Sequence, residues 1–328
     1  MNNFLKIFFL VLTSLFLVNC TKTDDGIPTP EVPRDFGTQY ADDNTAIVTF
    51  LKTHSITFDS SFNVTAYHMV ASLNAESIWG TDDLIPKTNV EVRYIIANGV
   101  SYKVYYLKLN QGSGDFPCNA DEIQISYAGA QLSDLISAPD VIKTFEAKDK
   151  ATFPILLGTI SGWSEILPQF NCATTSSSTN YGAGVMFIPS GFAYFNVART
   201  GQKYATLVYS FKLINVVHTD YDGDGILSIN EGAAGDRYVS LVNTDGDAFP
   251  DFNDPDDDND NVLTAFEIKR PKVLINGILV DNGSYPFSGA AIDDLLTPYV
   301  NESQGVPDCS GDFISPTRKP KYLDKNCK

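Results

Sequence analysis

The sequence predicts an α+β fold. Strand signals dominate: Ile56–Phe58, Val90–Ile95 and Tyr102–Leu107, then Glu122–Tyr127, Ala183–Ile188 and Thr206–Val217, alternate in polarity or are rich in β-branched and aromatic residues. Helical signals are confined to two short stretches. Asp42–His54 places Ile47, Val48, Phe50 and Leu51 at helical spacing behind Asp and Asn residues suited to an N-cap. Ser161–Phe170 is the second. From Asp220 onward the periodicity gives way to closely spaced aspartates, and the stretch from Lys272 to Lys328 shows no clear helical period.

The N-terminus reads as an export signal. Lys6 precedes an apolar run, Ile7–Val18, shorter than the roughly 20 residues that span a bilayer but suited to a signal-peptide core. The run closes with Leu17-Val18-Asn19-Cys20, which resembles a bacterial lipobox with Asn19 in place of the usual small residue. That resemblance implies a signal peptide over residues 1–19 and acylation of Cys20 as the first mature residue. Several acyl chains anchor stably, so the expected setting is the outer membrane, on its periplasmic or cell-surface face, with the membrane engaged through the anchor. Thr21–Asp25, ending in two acidic residues, resembles surface-export signals and favours display outside. Residues 20–40, polar and punctuated by Pro28, Pro30 and Pro33, read as a tether with too little apolar surface to fold.

The length beyond the tether exceeds one ordinary domain. Residues 41–110 read as an N-terminal extension of one short helix and strands that add to the sheet of the next domain. Residues 111–217 read as the central domain, 218–268 as an acidic segment and 269–328 as a tail. The net charge of −17 is concentrated: Asp220–Asp260 holds twelve Asp and one Glu against Arg237 alone. This excludes nucleic acid as a partner, since phosphate binding needs a basic surface, and points to disorder or bound cations. Besides Cys20 there are four cysteines, an even number that favours disulfides in an exported protein. Proximity favours Cys309–Cys327, leaving Cys118–Cys172 by default.

The central domain carries ordered landmarks: Gly112-Ser113-Gly114-Asp115, Ile125-Ser126-Tyr127-Ala128-Gly129, Phe153-Pro154-Ile155-Leu156-Leu157-Gly158, Ser161-Gly162-Trp163, Ile188-Pro189-Ser190-Gly191-Phe192-Ala193-Tyr194 and Ala205-Thr206-Leu207-Val208-Tyr209. In type and order they resemble the FKBP family of peptidyl-prolyl cis-trans isomerases. The resemblance implies an antiparallel half-barrel wrapped on a short helix, proline-containing polypeptides as clients, and catalysis without a cofactor. It assigns Trp163 to the pocket floor, Tyr127, Tyr209 and Phe153 to the walls, the Ile160 backbone N–H to the bound peptide and the Tyr194 hydroxyl to a substrate carbonyl. Two elements depart from the family pattern. Its Phe-Asp pair is replaced at the expected spacing by Ser137-Ala138, and the nearest match, Phe145-Glu146, requires an insertion of about eight residues. Its Ile-Pro element before Ala205 is replaced by Thr200-Gly201-Gln202-Lys203-Tyr204. Floor and walls are retained and the rim is altered.

The acidic segment has the spacing of twelve-residue calcium loops, with ligands at positions 1, 3, 5, 7, 9 and 12 and a sharp turn at 6. Asp220, Asp222, Asp224, the Ile226 carbonyl, Ser228 and Glu231 fill one loop. Asp256, Asp258, Asp260, the Val262 carbonyl, Thr264 and Glu267 fill another, with Asn261 at the turn. Between them Asn243, Asp245, Asp247, Asp251 and Asp254 resemble a thrombospondin type-3 repeat with Ala248 at its glycine position. Structural calcium is therefore expected, stiffening a spacer, with no part in catalysis. Pro307-Asp308-Cys309-Ser310-Gly311-Asp312-Phe313 and Lys321-Tyr322-Leu323-Asp324 extend the resemblance to FKBP-type lipoproteins of the Bacteroidota, some linked with gliding motility. Prolyl isomerisation of exported proteins is the leading expectation. A peptide-binding or chaperone module without turnover, and a calcium-stiffened surface, adhesion or gliding-accessory protein, are the alternatives.

Overall fold

In the computed structural model of the 328-residue chain, the described residues are 32–328 apart from 71–75, 83–86, 88, 233–236, 286–304, 314, 316 and 328. The signal segment, Cys20 and most of the tether lie outside them. The chain divides at Arg34/Asp35, and every named element belongs to the unit Asp35–Lys328.

Helix α1 spans Phe36–Thr53, starting inside the stretch expected to be tether. Its start is fixed by Asp35, whose carboxylate accepts the Thr38 N–H at 2.8 Å, and by Phe36, which stacks on Phe195 at 4.0 Å. The apolar period begins late because the first buried positions are Gln39 and Asp43, followed by Ile47, Phe50 and Leu51.

Strands β1 (His54–Phe58) and β2 (Val64–Met69) form a hairpin of their own. Strands β3 (Val90–Ala97) and β4 (Val100–Asn110) turn at Asn98-Gly99, where φ is +51° and +71°, the left-handed pair that tight hairpins require. They join β5 (Glu122–Gln131), β6 (Thr144–Pro154), β7 (Gly182–Ile188) and β8 (Leu207–Val217) in an antiparallel six-stranded sheet of order β3-β4-β7-β8-β5-β6. Of the strands between residues 41 and 110, β3 and β4 thus extend the main sheet and β1 and β2 do not. Short helices α2 (Leu132–Ser137), α3 (Ile155–Gly158) and α4 (Ser161–Ile166) interrupt the strands. Helix α4 passes into a 3-10 turn, Leu167–Gln169, where Pro168 removes a helical donor.

The sheet is covered on both faces. Trp163 and Ile166 of α4 pack with Tyr102, Ile125, Met186, Ile188 and Tyr209 on one side. Ile47, Phe50 and Leu51 of α1 pack with Tyr67, Val185, Phe187 and Val208 on the other. Beyond β8 the chain runs through the acidic loops into α5 (Thr264–Glu267) and a small hairpin, β9 (Val273–Ile275) with β10 (Ile278–Val280). Ile226 and Ile268 of the loop region meet Val306 and Tyr322 of the tail in a separate cluster.

Cys309 and Cys327 are joined, with Cα atoms 5.4 Å apart. Cys118 and Cys172 are not, contrary to the default pairing. Each is buried in a different apolar cluster, Cys118 with Ala120, Val239 and Phe252, and Cys172 against the sheet, where its thiol donates to the Ala173 carbonyl.

Gly162 sits where α4 meets β7: a Cβ there would stand 2.6 Å from Ile188 Cγ2. In an open helix Gly→Ala stabilises. Here overpacking reverses the sign, so Gly162→Ala is expected to lower stability by about 1–3 kcal/mol in urea unfolding.

Candidate functional site

Four rings from four elements converge on one side of the sheet. Trp163 of α4, only 3% exposed, forms the floor. Tyr127 of β5, Tyr209 of β8 and Phe153 of β6 meet it edge-on, with centroids at 4.9, 5.0 and 5.7 Å. The faces of aromatic rings are electron-rich and their edges electron-poor, so such T-shaped packing holds ring positions as well as burying area. The rings floor a cleft of about 220 Å³. Ile160, Thr159 and Tyr194 stand at its rim, and Arg199 lies 5.4 Å from the Tyr194 ring. Ile160 immediately precedes α4, where backbone N–H groups lack intrahelical acceptors.

Between β5 and β6, ahead of Phe145, lies α2, whose Leu132 and Leu135 are buried on the opposite face of the sheet. After the insertion, β6 returns to register with Glu146 opposite Gly129. Glu146 lines the cleft, while Phe145 stands behind it, edge-on to Tyr209 at 5.8 Å. Gly129 permits this: a Cβ would come within 2.5 Å of the Tyr209 ring and 2.8 Å of Phe145. The Tyr209 hydroxyl donates to Glu146 Oε1 at 2.8 Å. Burial, reinforced by that carboxylate, holds the Tyr209 phenol well above its ordinary pKa, so it remains a donor. Seven of the eight residues assigned from sequence therefore line one cleft, and the eighth supports it.

The sequence reading missed the support of Tyr194. Asp43 of α1 is buried, and its Oδ2 accepts both the N–H (2.8 Å) and the hydroxyl (2.6 Å) of Ser190, while Oδ1 accepts the Gln39 amide (2.7 Å). The Ser190 carbonyl in turn accepts the N–H groups of Ala193 and Phe195, on either side of Tyr194. An acidic residue one turn before Ile47 on the apolar stripe was the available signal.

The acidic segment repeats one backbone geometry. At position 1, Asp220 accepts the N–H groups of Gly223 and Gly225, Asp256 those of Asp260 and Asn261, and Asn243 that of Gly246. At position 5, Asp224, Asp247 and Asp260 accept the N–H two residues on. Gly225 and Asn261 at position 6 have φ of +102° and +74°. At position 9 the side chains close the loops: Ser228 accepts the Tyr221 N–H, Asp251 the Thr244 N–H and Thr264 the Asp257 N–H. The first loop follows β8 and leads into a 3-10 turn, Ser228–Asn230, with no α-helix flanking it among the described residues.

Carboxylate oxygens gather within 4.8 Å of one another in Asp220-Asp222-Asp224, in Asp245-Asp247-Asp254 and in Asp256-Asp258-Asp260. Several buried oxygens have no hydrogen-bond partner, among them Asp222 Oδ2, Asp224 Oδ2, Asp245 Oδ2, Asp258 Oδ2, Glu267 Oε2 and both oxygens of Glu231. Burial, then neighbouring carboxylates, pushes Asp222 up to about 7, Glu231 to about 10 and Glu267 to about 8. Unpaired buried carboxylates are costly, and a divalent cation relieves both desolvation and repulsion. The all-oxygen donor set fits calcium, which takes six to eight such ligands.

The family described as BamM C-terminal matches residues 221–298, which include most of the loop segment. No curated protein matches the chain. Solved structures similar to it include a peptidyl-prolyl cis-trans isomerase from Pseudomonas syringae pv. tomato, at 22% identity over 40% of this chain and 82% of that one, with a TM-score of 0.30. FkpA from Escherichia coli has 22% identity over 40% of this chain and 52% of its own, and the three FKBP domains of wheat FKBP73 have 14% over 39% and 51%, each with a TM-score of 0.30.

Replacing Asp43 with Ala removes the acceptor of the buried Ser190 N–H and hydroxyl and one acceptor of the Gln39 amide. Asp43→Ala is expected to cost about 2–3 kcal/mol, read by urea unfolding, and Ser190→Ala about 1 kcal/mol.

Proposed function

We propose that this chain is a peptidyl-prolyl cis-trans isomerase acting on exported polypeptides, anchored to the outer membrane through Cys20 and carrying a calcium-stabilised appendix. The observation that carries the isomerase reading is the Trp163 floor with Tyr127, Phe153 and Tyr209 set edge-on around it. Rotation about an X–Pro bond needs no nucleophile. The barrier for a peptide bond is about 18–20 kcal/mol, because twisting breaks amide resonance. The twisted amide has less charge separation than the planar one, so an apolar aromatic cleft favours it over the ground state, which is the condition for catalysis. In this reading the prolyl ring sits on Trp163, the Ile160 N–H and Tyr194 hydroxyl hold carbonyls on either side, and the Tyr209–Glu146 hydrogen bond keeps the wall fixed.

The purified chain should accelerate cis-trans exchange of an X–Pro peptide with an apolar residue before proline. Tyr194→Phe should lower kcat/KM by about tenfold, roughly 1.4 kcal/mol, with little change in stability. A folded wild-type chain that binds the peptide without accelerating exchange would make the cleft a peptide-binding module.

For the loops, the ligands in this reading are Asp220, Asp222, Asp224, the Ile226 carbonyl and Glu231, then Asp256, Asp258, Asp260, the Val262 carbonyl and Glu267, with Asp245, Asp247 and Asp254 between them. The ion would neutralise crowded charge and order the segment, stabilising the folded form by mass action. Chelation should make residues 220–267 sensitive to protease while the sheet stays folded. Calorimetry should give dissociation constants of roughly 10⁻⁴–10⁻³ M, as in extracellular modules. No heat of binding at millimolar calcium would leave the segment an acidic linker.

A further inference from the structure

Asp257 belongs to no ligand position of its own loop. It is the second residue of the third loop, a place held by Tyr221 in the first loop and Thr244 in the second. Yet one of its carboxylate oxygens lies within 4.8 Å of oxygens from Asp224 and Glu231, which are positions 5 and 12 of the first loop. The three residues are 1%, 3% and 6% exposed. Both oxygens of Asp257 and both of Glu231 are buried without a hydrogen-bond partner. The Asp257 N–H is tied to Thr264 Oγ1, which fixes the backbone from which the side chain turns inward.

The first loop also has a place for a further donor. Asp220, Asp222 and Asp224 offer one oxygen each, Ile226 its carbonyl, and Glu231 two, which makes six of the six to eight that calcium takes. The position-9 oxygen, Ser228 Oγ, already accepts the Tyr221 N–H and is wholly buried.

We propose that Asp257 is a ligand to the cation of the first loop, so that one ion is held by side chains from two loops. This rests on the calcium reading above. Its consequence is coupling. Asp257 lies between Asp256 and Asp258, two ligands of the third loop, so an ion in the first loop fixes the backbone that presents them, and filling either loop favours the other.

The test is calcium titration calorimetry on the full chain, wild type beside Asp257→Asn, Glu231→Gln and Glu267→Gln. Asp257→Asn should weaken the same ion that Glu231→Gln weakens, by about tenfold or more. The double variant Asp257→Asn/Glu231→Gln should lose that ion more completely than either single variant. Thermal unfolding gives a second readout. Asn removes a buried carboxyl group that has no partner without the ion, so the calcium-free variant should melt higher than the calcium-free wild type and gain less on adding calcium. The proposal is overturned if Asp257→Asn leaves the titration unchanged, if its loss falls on the Glu267 site alone, or if it lowers the calcium-free melting temperature. A wild-type chain that takes up no calcium overturns the loop reading itself, which separates the two failures.

Discussion

Strand β7 is buried along all seven residues, and its two faces feed different cores. Met186 and Ile188 point to the Trp163 side, Val185 and Phe187 to the α1 side. Because side chains alternate along a strand, a one-residue slip would exchange the two sets and place Phe187 against the aromatic cleft. The register of β7 against β4 and β8 therefore fixes at once where α4 can lie, where α1 can lie, and how far Tyr209, opposite Met186, stands from Trp163. The cleft is a by-product of that register: its floor and walls are the outermost members of one core, held by ring-on-ring contacts that continue inward.

The N-terminal helix matters to the cleft through the sheet and also through one polar contact. Buried Asp43 crosses from α1 to Ser190 and sets the turn that presents Tyr194. A polar contact is directional where apolar packing is not. The rim residue is thus placed by a hydrogen-bond chain, while the floor is placed by close packing.

The cleft residues were legible because they sit in local patterns: Ser161-Gly162-Trp163 begins a helix, and Tyr127 and Tyr209 occupy alternating strands. Phe145-Glu146 was legible only by allowing an insertion; the connection ahead of it holds α2, whose Leu132 and Leu135 are buried. The start of α1 was hidden because its first turns bury Gln39 and Asp43, which break the apolar period. The pairing of Cys118 with Cys172 failed because evenness of count says nothing about which cluster buries each thiol. In the loops the spacing showed which residues recur at positions 1, 3, 5, 9 and 12, but not that the position-9 side chains Ser228, Asp251 and Thr264 also accept a backbone N–H of their own loop. Asp257 was missed because its partners lie in another loop, and no pattern within twelve residues records a contact made across loops.

The acidic segment is joined to the sheet by the residues between its first two loops. The Tyr238 hydroxyl donates to the Glu165 carbonyl in α4 at 2.7 Å and accepts from the Gln169 amide at 2.6 Å. Arg237 donates to the Pro168 carbonyl, and Arg93 of β3 lies over the Tyr238 ring at 3.8 Å while pairing with Glu165 at 3.2 Å. These contacts satisfy carbonyls at and beyond the end of α4, where a helix has acceptors to spare. Helix α4 is therefore held from two sides, by Trp163 in the core and by Tyr238 outside it. Among the described residues of that stretch, the side chains that reach α4 and the turn after it are those of Arg237 and Tyr238. Ordering the loops therefore bears on the cleft through how firmly Arg237 and Tyr238 are held against the end of α4.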